Sequence, residues 1–306
     1  MLGNSGLATP PLVLGGNVFG WTADKETSFA VLDAFVAGGG TMIDTADVYS
    51  GWVPGNSGGE SETIIGEWMK ARRNRERVLI ATKGGYYDGI GADALANAAD
   101  ASLRRLQTDR IDLYYTHKDD PAVAHEVYLG ALDRLVRAGK VRAIGASQIS
   151  AERLEQSLET SKANGLAAYG VLQTWYNLLE RELYEGELRD VVVRHGLGMV
   201  SFYSLASGYL TGKYRVRSDL GKSVRGGGVQ AYFEGKGPEV LAALDEVAAE
   251  LGATPAQAAL AWTAGQPGVT APIASATNVD QMAELLAASE LRLSRDQIDR
   301  IDQASR

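Results

Sequence analysis

The sequence predicts an α/β protein, a closed (β/α)8 TIM barrel that makes one domain of residues 1–306, with long βα loops at its C-terminal face. Three observations lead there: eight short apolar runs recur along the 306 residues, longer amphipathic stretches lie between them, and no linker or composition break divides the chain. The runs are mostly apolar throughout, as parallel strands buried on both faces are; a half-exposed antiparallel strand would alternate.

The first strand is PLVLGG (11–16), followed by a helical stretch over 24–39 with Asp24 placed as its N-cap. TMIDTA (41–46) leads to a helix over 61–74, and VLIATK (78–83) to one over 92–107. IDLYYTH (111–117) precedes a helix over 123–139, and VRAIGAS (141–147) one over 150–165 that Ser150 caps. In these stretches apolar residues recur at intervals of three and four, and several end in Gly. Thr27 and Arg153 follow the two caps by three residues, so neither makes a full capping box. GVLQTWY (170–176), MVSFYS (199–204) and VTAPIAS (269–275) complete the strands, and 291–306 reads as a terminal helix rather than a long lid. An open doubly wound sheet would carry G-x-G-x-x-G in its first turn; Gly15, Gly16 and Gly20 do not have that spacing.

Composition narrows the function. Residues are 45% hydrophobic and 22% charged, an ordinary globular balance. A net charge of -8 and a pI near 5.1 argue against nucleic acid or direct membrane association, which call for a basic surface. There is no cysteine to act as nucleophile or metal ligand, and His117, His125 and His195 are too scattered for a zinc site. The N-terminus lacks a basic region followed by an apolar stretch, and no segment approaches the roughly 18 apolar residues of a membrane span. A cytoplasmic protein is the expectation, with its oligomeric state left open.

In a barrel of this kind chemistry gathers at the C-terminal strand ends. Asp44 and Tyr49 follow strand two, Lys83 ends strand three and His117 strand four. Ser147 and Gln148 stand at strand five, Gln173 in strand six, Tyr203 and Ser204 at strand seven, and Ser275 at strand eight. Any one of these has an ordinary structural explanation: a cap, a rim charge or loop packing. Four ionisable residues converging from three consecutive strand ends do not.

Seven ordered motifs covering essentially the whole chain resemble the aldo-keto reductase family. DTADVY (44–49) resembles its D-T-A-x-x-Y, ATKGG (81–85) its strand-three lysine segment, and YTHKDDP (115–121) its strand-four histidine segment. GASQIS (145–150), LQTWYNLLERE (172–182) and SFYSLASGYLTGKY (201–214) are similar to its cofactor-side segments, and PIASATNVDQMAELL (272–286) to its cofactor clamp. The chain departs from the pattern where SFYSLASG lacks a Pro after the serine and is one residue shorter before Gly208.

The chemistry that follows is carbonyl reduction, which requires a hydride donor at the carbon and an acid at the oxygen. Tyr49 is the expected acid. Free phenol titrates near pKa ~10, and an ammonium at Lys83 is expected to lower that value. Asp44 would pair with Lys83 and keep it charged, while His117 would orient the carbonyl oxygen. The resemblance implies these same four roles. On the cofactor side Tyr203 offers a ring for the nicotinamide, and Ser147 and Gln173 offer hydrogen bonds to its carboxamide, with Gln148 beside them. Ser204, Leu205, Ser207 and Gly208 begin the loop toward the pyrophosphate, and Lys213 could pair with its charge. The family likeness extends the cofactor set to Gly16, Asp44, Ser275, Asn278, Gln281 and Glu284.

NADPH is the cofactor the resemblance implies, with NADH an open alternative because Asn278 stands where NADPH-preferring relatives commonly carry Arg. Arg215, Arg217, Lys222 and Arg225, in the segment 205–237, are other sources of that charge. The run GKSVRGGGVQ (221–230) is expected to be mobile and to order over the cofactor. Val18, Trp21, Tyr49, Trp52, Tyr86, His117 and Trp175 are expected to line an open, aromatic mouth for a small-molecule aldehyde, ketone or sugar-like carbonyl. Two alternatives stand beside this reading. Some members of the family are nucleotide-binding regulatory subunits of a membrane channel, and an unrelated barrel enzyme could use Lys83 as a Schiff-base amine.

Overall fold

Alternation along short buried strands builds the barrel. A computed structural model describes residues 1–306 and contains β1 (Val13–Gly15), β2 (Met42–Asp44), β3 (Leu79–Gly84), β4 (Ile111–Thr116), β5 (Val141–Ser147), β6 (Tyr169–Trp175), β7 (Gly198–Phe202) and β8 (Val269–Ala274). All neighbours pair parallel, and β8 closes on β1, with Leu14 opposite Ala274. Successive side chains point to opposite faces. Val13, Met42, Ala81, Leu113, Tyr115, Ala143, Val171, Val200, Ala271 and Ile273 therefore form one cluster inside the barrel. Ile43, Ile80, Tyr114, Ile144, Leu172 and Met199 face outward into a second cluster of 60 residues shared with the helices. Continuing the inward parity by two residues brings Asp44, Lys83, His117 and Gln173 to the same lumen as Met42, Ala81, Tyr115 and Val171.

The helices are α1 (Lys25–Ala37), α2 (Glu60–Arg72), α3 (Ala92–Leu106), α4 (His125–Arg137), α5 (Ala151–Asn164), α6 (Glu187–His195), α7 (Gly237–Leu251), α8 (Pro255–Ala264), α9 (Val279–Ala288) and α10 (Arg295–Ser305). Asp24 and Ser150 cap α1 and α5, accepting from the Thr27 and Arg153 amides at 2.8 and 3.2 Å. The β7–β8 connection holds two helices rather than one. Thr254 opens the second with a full capping box, its hydroxyl accepting from the Gln257 amide. The terminal helix α10, also opened by a capping box at Ser294, lies against α7, where Arg300 bonds Glu250 at 2.6 Å.

Leu2 and Leu7 join the lumen cluster and close the N-terminal end of the barrel. The chain there runs so close to β7 that a side chain at Gly3 (φ +50°) would collide with the backbone of Leu197 and Gly198. The bottom is thus plugged, and the open mouth is at the other end. No helix is long and apolar enough to cross a membrane.

The segment expected to be mobile folds into two 3-10 stretches, Arg217–Lys222 and Gly226–Phe233. Gly226 is required by close packing, since a side chain there would overlap the Leu220 carbonyl, whereas Gly221, Gly227 and Gly228 have open space around them.

Candidate active site

Four groups meet at the mouth. Lys83 is 1% exposed, and its ammonium donates three hydrogen bonds, to Asp44 Oδ2 at 2.7 Å, Thr45 O at 2.7 Å and Tyr49 OH at 3.0 Å. Gln173 Nε2 donates to the other Asp44 oxygen at 2.7 Å. The Tyr49 hydroxyl lies 3.5 Å from Asp44 Oδ2, and the rings of Tyr49 and His117 are 6.1 Å apart. The strand that ends in an acid does so because its neighbour ends in a buried ammonium that needs a counter-charge.

Burial opposes the charged form of Lys83, but Asp44 and Tyr49 outweigh it and hold the amine above its ordinary pKa. A lysine kept charged, with three acceptors around it, is unsuited to Schiff-base chemistry, which needs a free amine. Tyr49 departs from expectation. Burial dominates and pushes its phenol up to about 12, with Lys83 only opposing the rise, so the expected lowering does not occur in this state of the site. The consequence suits an acid, because the proton is held on the hydroxyl throughout the neutral range. Burial also pushes His117 down to about 2, helped by Lys83, so the imidazole is neutral. Its buried Nδ1 has no partner.

The cofactor-side residues gather on the opposite wall. Tyr203 is 45% exposed, while Trp175 covers its other side at 4.3 Å between ring centroids. Trp175 is held by a bond from its indole N–H to Glu180 Oε2 at 2.6 Å, which fixes it against Tyr203. The Ser147 hydroxyl is buried without a partner. Gln173 donates one amide N–H to Asp44, and its carbonyl oxygen is an acceptor. Gln148 is exposed and donates to the His117 carbonyl at 3.1 Å, tying the ends of β4 and β5 together. Seven non-glycine residues have φ in the left-handed range; Arg73 and Gln107 close helices, and Ser50, Gln148, Tyr203, Ala206 and Ser207 all lie at the mouth. They fall on the connections that follow β2, β5 and β7, three of them in the stretch 203–207.

Around that loop, Ser204 is buried and bonds Ser201, Leu205 and Ser207 are half-buried, and Lys213 reaches the surface of Gly208. Gly16 has no room for a side chain, since one would meet Ser61 Oγ and the Asp44 carbonyl. Ser275 donates to Asn17 Oδ1 at 2.6 Å. At the start of α9, Asn278 accepts from the Gln281 amide at 2.8 Å and Gln281 accepts from the Thr277 amide at 2.9 Å. Glu284 faces α8, accepting from Thr254 Oγ1 at 2.6 Å. An exposed ring, an unpartnered hydroxyl and a lysine free of carboxylates together fit a nicotinamide dinucleotide.

On the substrate side Trp21, Trp52 and Tyr49 form an edge-to-face series, with centroids 5.6 and 6.0 Å apart, and Tyr86 packs on His117 at 4.8 Å. Val18 is the exception among the expected lining residues. It is 2% exposed in the outer core, and its carbonyl anchors the turn that presents Trp21.

Asp47 was not anticipated. It sits behind Lys83, its amide bonded to the Lys83 carbonyl at 3.1 Å and its Oδ1 buried without a partner. Burial, with Glu62 adding, pushes its carboxyl up to about 6. Glu62 itself is held by Arg105 at 2.6 Å and Thr82 at 2.5 Å. A carboxyl whose pKa is raised on folding favours the fold while protonated, and that contribution is lost as pH rises from about 4 through about 6. Asp47→Asn should therefore stabilise the protein by about 2 kcal/mol at pH 7.5 and by almost nothing near pH 4. Denaturant midpoints of the two proteins across that range check this, and a difference that does not grow with pH refutes it.

A model of the Aldo/keto reductase family matches residues 11–306. The chain is 32% identical over 307 residues to an uncharacterized oxidoreductase, YrpG, of Bacillus subtilis, covering 96% of this chain and 92% of the relative. It is 31% identical over 314 residues to norsolorinic acid reductase B of Aspergillus parasiticus, covering 96% and 80%. Aldo-keto reductase AFTS1 of Alternaria alternata is 29% identical over 342 residues, covering 100% and 91%.

Proposed function

The chain belongs to the aldo/keto reductase family, a family of oxidoreductases that use nicotinamide cofactors, and from that membership we propose that it reduces an aldehyde or ketone, with Tyr49 as the acid. When bound, the reduced nicotinamide supplies the hydride that the carbonyl carbon receives. Tyr203, backed by Trp175, presents a flat support for the ring, and Ser147 and Gln173 orient the carboxamide. The neutral imidazole of His117 donates a hydrogen bond to the carbonyl oxygen, and Tyr49 OH delivers its proton to that oxygen as charge builds there. Lys83 stabilises the phenolate left behind, and Asp44 holds Lys83. The observation that carries the proposal is Tyr49 OH at 3.0 Å from a buried, charged Lys83. The same groups could oxidise an alcohol, with the phenol as base; its raised pKa favours the reductive direction.

NADPH is the cofactor proposed, with NADH as the competing choice. Asn278 brings no charge, and its side-chain oxygen is occupied by the cap. Of the basic residues in the β7–α7 segment, Arg215 is held by Asp245, Arg217 by Glu234 and Lys222 by Asp219, whereas Lys213 and Arg225 have no carboxylate partner and are the cations proposed to meet a cofactor phosphate.

Fluorescence titration with each nucleotide, followed by turnover of a carbonyl panel, tests the proposal. Nucleotide should bind, and reduction should show no inflection from about pH 7 to 9, since His117 stays neutral and Tyr49 protonated. Absence of nucleotide binding would falsify the assignment. A rate that falls away with a midpoint near pH 7 would remove neutral His117 from its role.

A further inference from the structure

Tyr203 is held from behind. Its backbone has φ +55°, a conformation that a bulky residue keeps only when its surroundings impose it. One face of its ring meets Trp175 at 4.3 Å between centroids and an interplanar angle of 33°. Its carbonyl accepts from Asn177 Nδ2 at 3.0 Å. Both contacts lead to the same side chain.

That side chain is Glu180. Its Oε2 accepts from the Trp175 indole at 2.6 Å and from Asn177 Nδ2 at 2.8 Å, and its Oε1 accepts from the Tyr232 hydroxyl at 2.8 Å. The three donors come from the end of β6, the turn after it and the β7–α7 connection. Each donor is itself fixed. Asn177 is fully buried, and its Oδ1 accepts from the Leu179 amide at 2.8 Å. The Tyr232 carbonyl lies so close to Gly237 that a side chain there would overlap it.

Glu180 is half-buried and forms no ion pair, whereas Arg181, the next residue, is bound at 2.8 Å by both Glu185 and Asp302. Taking a carboxylate partly out of water without a counter-charge is costly, and the three donated hydrogen bonds offset that cost. What a carboxylate supplies here is two oxygens that both accept. It can therefore hold the Trp175 indole N–H, a group that only donates, and the Tyr232 hydroxyl at once.

We propose that Glu180 is a positioning residue for hydride transfer: by fixing Trp175 and Asn177 it sets the plane of the Tyr203 ring, and with it the plane of a nicotinamide stacked on the exposed face. The proposal rests on the reductase reading above and deepens it. Glu180 acts through Trp175 and Asn177 rather than on the reacting atoms. A tilted support displaces the hydride from the carbonyl carbon, and a misplacement of about 1 Å slows such a reaction on the order of 100-fold.

The test is calorimetric titration of wild type, Glu180→Met, Glu180→Gln and Trp175→Phe. NADPH and NADH are each compared with the same dinucleotide lacking its nicotinamide, 2′-phospho-ADP-ribose and ADP-ribose. Glu180→Met leaves the indole N–H without an acceptor. It should weaken the complete dinucleotide by about 2- to 10-fold, the span of one aromatic stacking contact, and leave the truncated one unchanged. Its kcat should fall by about 10- to 100-fold at unchanged carbonyl KM. Glu180→Gln keeps one accepting oxygen for Trp175 and Asn177, while its amide can donate to the Tyr232 hydroxyl, so it should restore most of both. Trp175→Phe cuts the link from the other side with Glu180 intact and should show the same selective loss, which decides the matter even where Glu180→Met does not fold. Equal weakening of complete and truncated nucleotides, or no weakening, overturns the proposal, as does a Glu180→Gln protein no better than Glu180→Met. Those outcomes leave the reductase reading standing, whereas failure of wild type to bind either dinucleotide overturns that reading and this proposal together.

Discussion

Tyr49→Phe is expected to lower carbonyl reduction by about 100- to 10,000-fold, the usual span for removing a general acid, while leaving nucleotide affinity where it was. The substitution deletes one oxygen, so the loss can be traced to the proton. Lys83 keeps its bonds to Asp44 and Thr45, and the phenyl ring keeps its packing against Trp52 and His117. Stability should change little, because the deleted hydroxyl accepts one bond from Lys83 at 3.0 Å and donates only a long one to Asp44 Oδ2 at 3.5 Å. The effect should appear in kcat with little change in KM, since the proton is needed as charge develops on the carbonyl oxygen and not when the substrate binds. Single-turnover reduction with saturating nucleotide separates chemistry from product release. A loss of less than about tenfold would assign the proton to another donor.

The barrel and the meeting of Asp44, Tyr49, Lys83 and His117 at its mouth were both legible because each leaves a local trace. Eight apolar runs declare eight buried strands, and the inward parity of β2 and β3 places Asp44 and Lys83 in one lumen whatever the loops do. Gln173 could be placed at the mouth by the same parity, but its bond to Asp44 could not, because it depends on β6 standing across the barrel from β2. Val18 misled for a related reason. It stands just past a strand end, but loop packing turns it into the core, and no periodicity encodes a loop. The pKa of Tyr49 is a matter of magnitudes. The sequence supplies the lysine that lowers it, whereas the burial that outweighs the lysine exists only in the folded site. Arg225 is the clearest case. Of Arg215, Arg217, Lys222 and Arg225, only the spatial positions of Asp245, Glu234 and Asp219 reveal that the first three are paired and Arg225 is not.

The Lys83–Asp44 pair should separate stability from catalysis. Both groups are buried, at 1% and 2% exposure, and 2.7 Å apart. Lys83→Met keeps the volume of the stem but strands the Asp44 carboxylate in the lumen with only Gln173 and Tyr49 to solvate it. Losing one member of a buried pair costs about 3–5 kcal/mol, most of it the penalty of the charge left behind. Adding Asp44→Asn removes that charge without changing the shape. The amide oxygen can still accept from Gln173 Nε2, and the amide N–H can donate to the Thr45 carbonyl that Lys83 abandons. The double variant should therefore regain about 2 kcal/mol or more over Lys83→Met, a coupling that independent sites would not show. Activity should not return with it. Without the ammonium nothing stabilises the Tyr49 phenolate, and reduction should stay at least about 100-fold below wild type, the loss expected for one preorganised donor. Urea midpoints of the four proteins in the cycle report the first effect and kcat reports the second. If the double variant is no more stable than Lys83→Met, the buried charge is not what the pair balances. If it recovers activity along with stability, Lys83 serves the fold and not the proton.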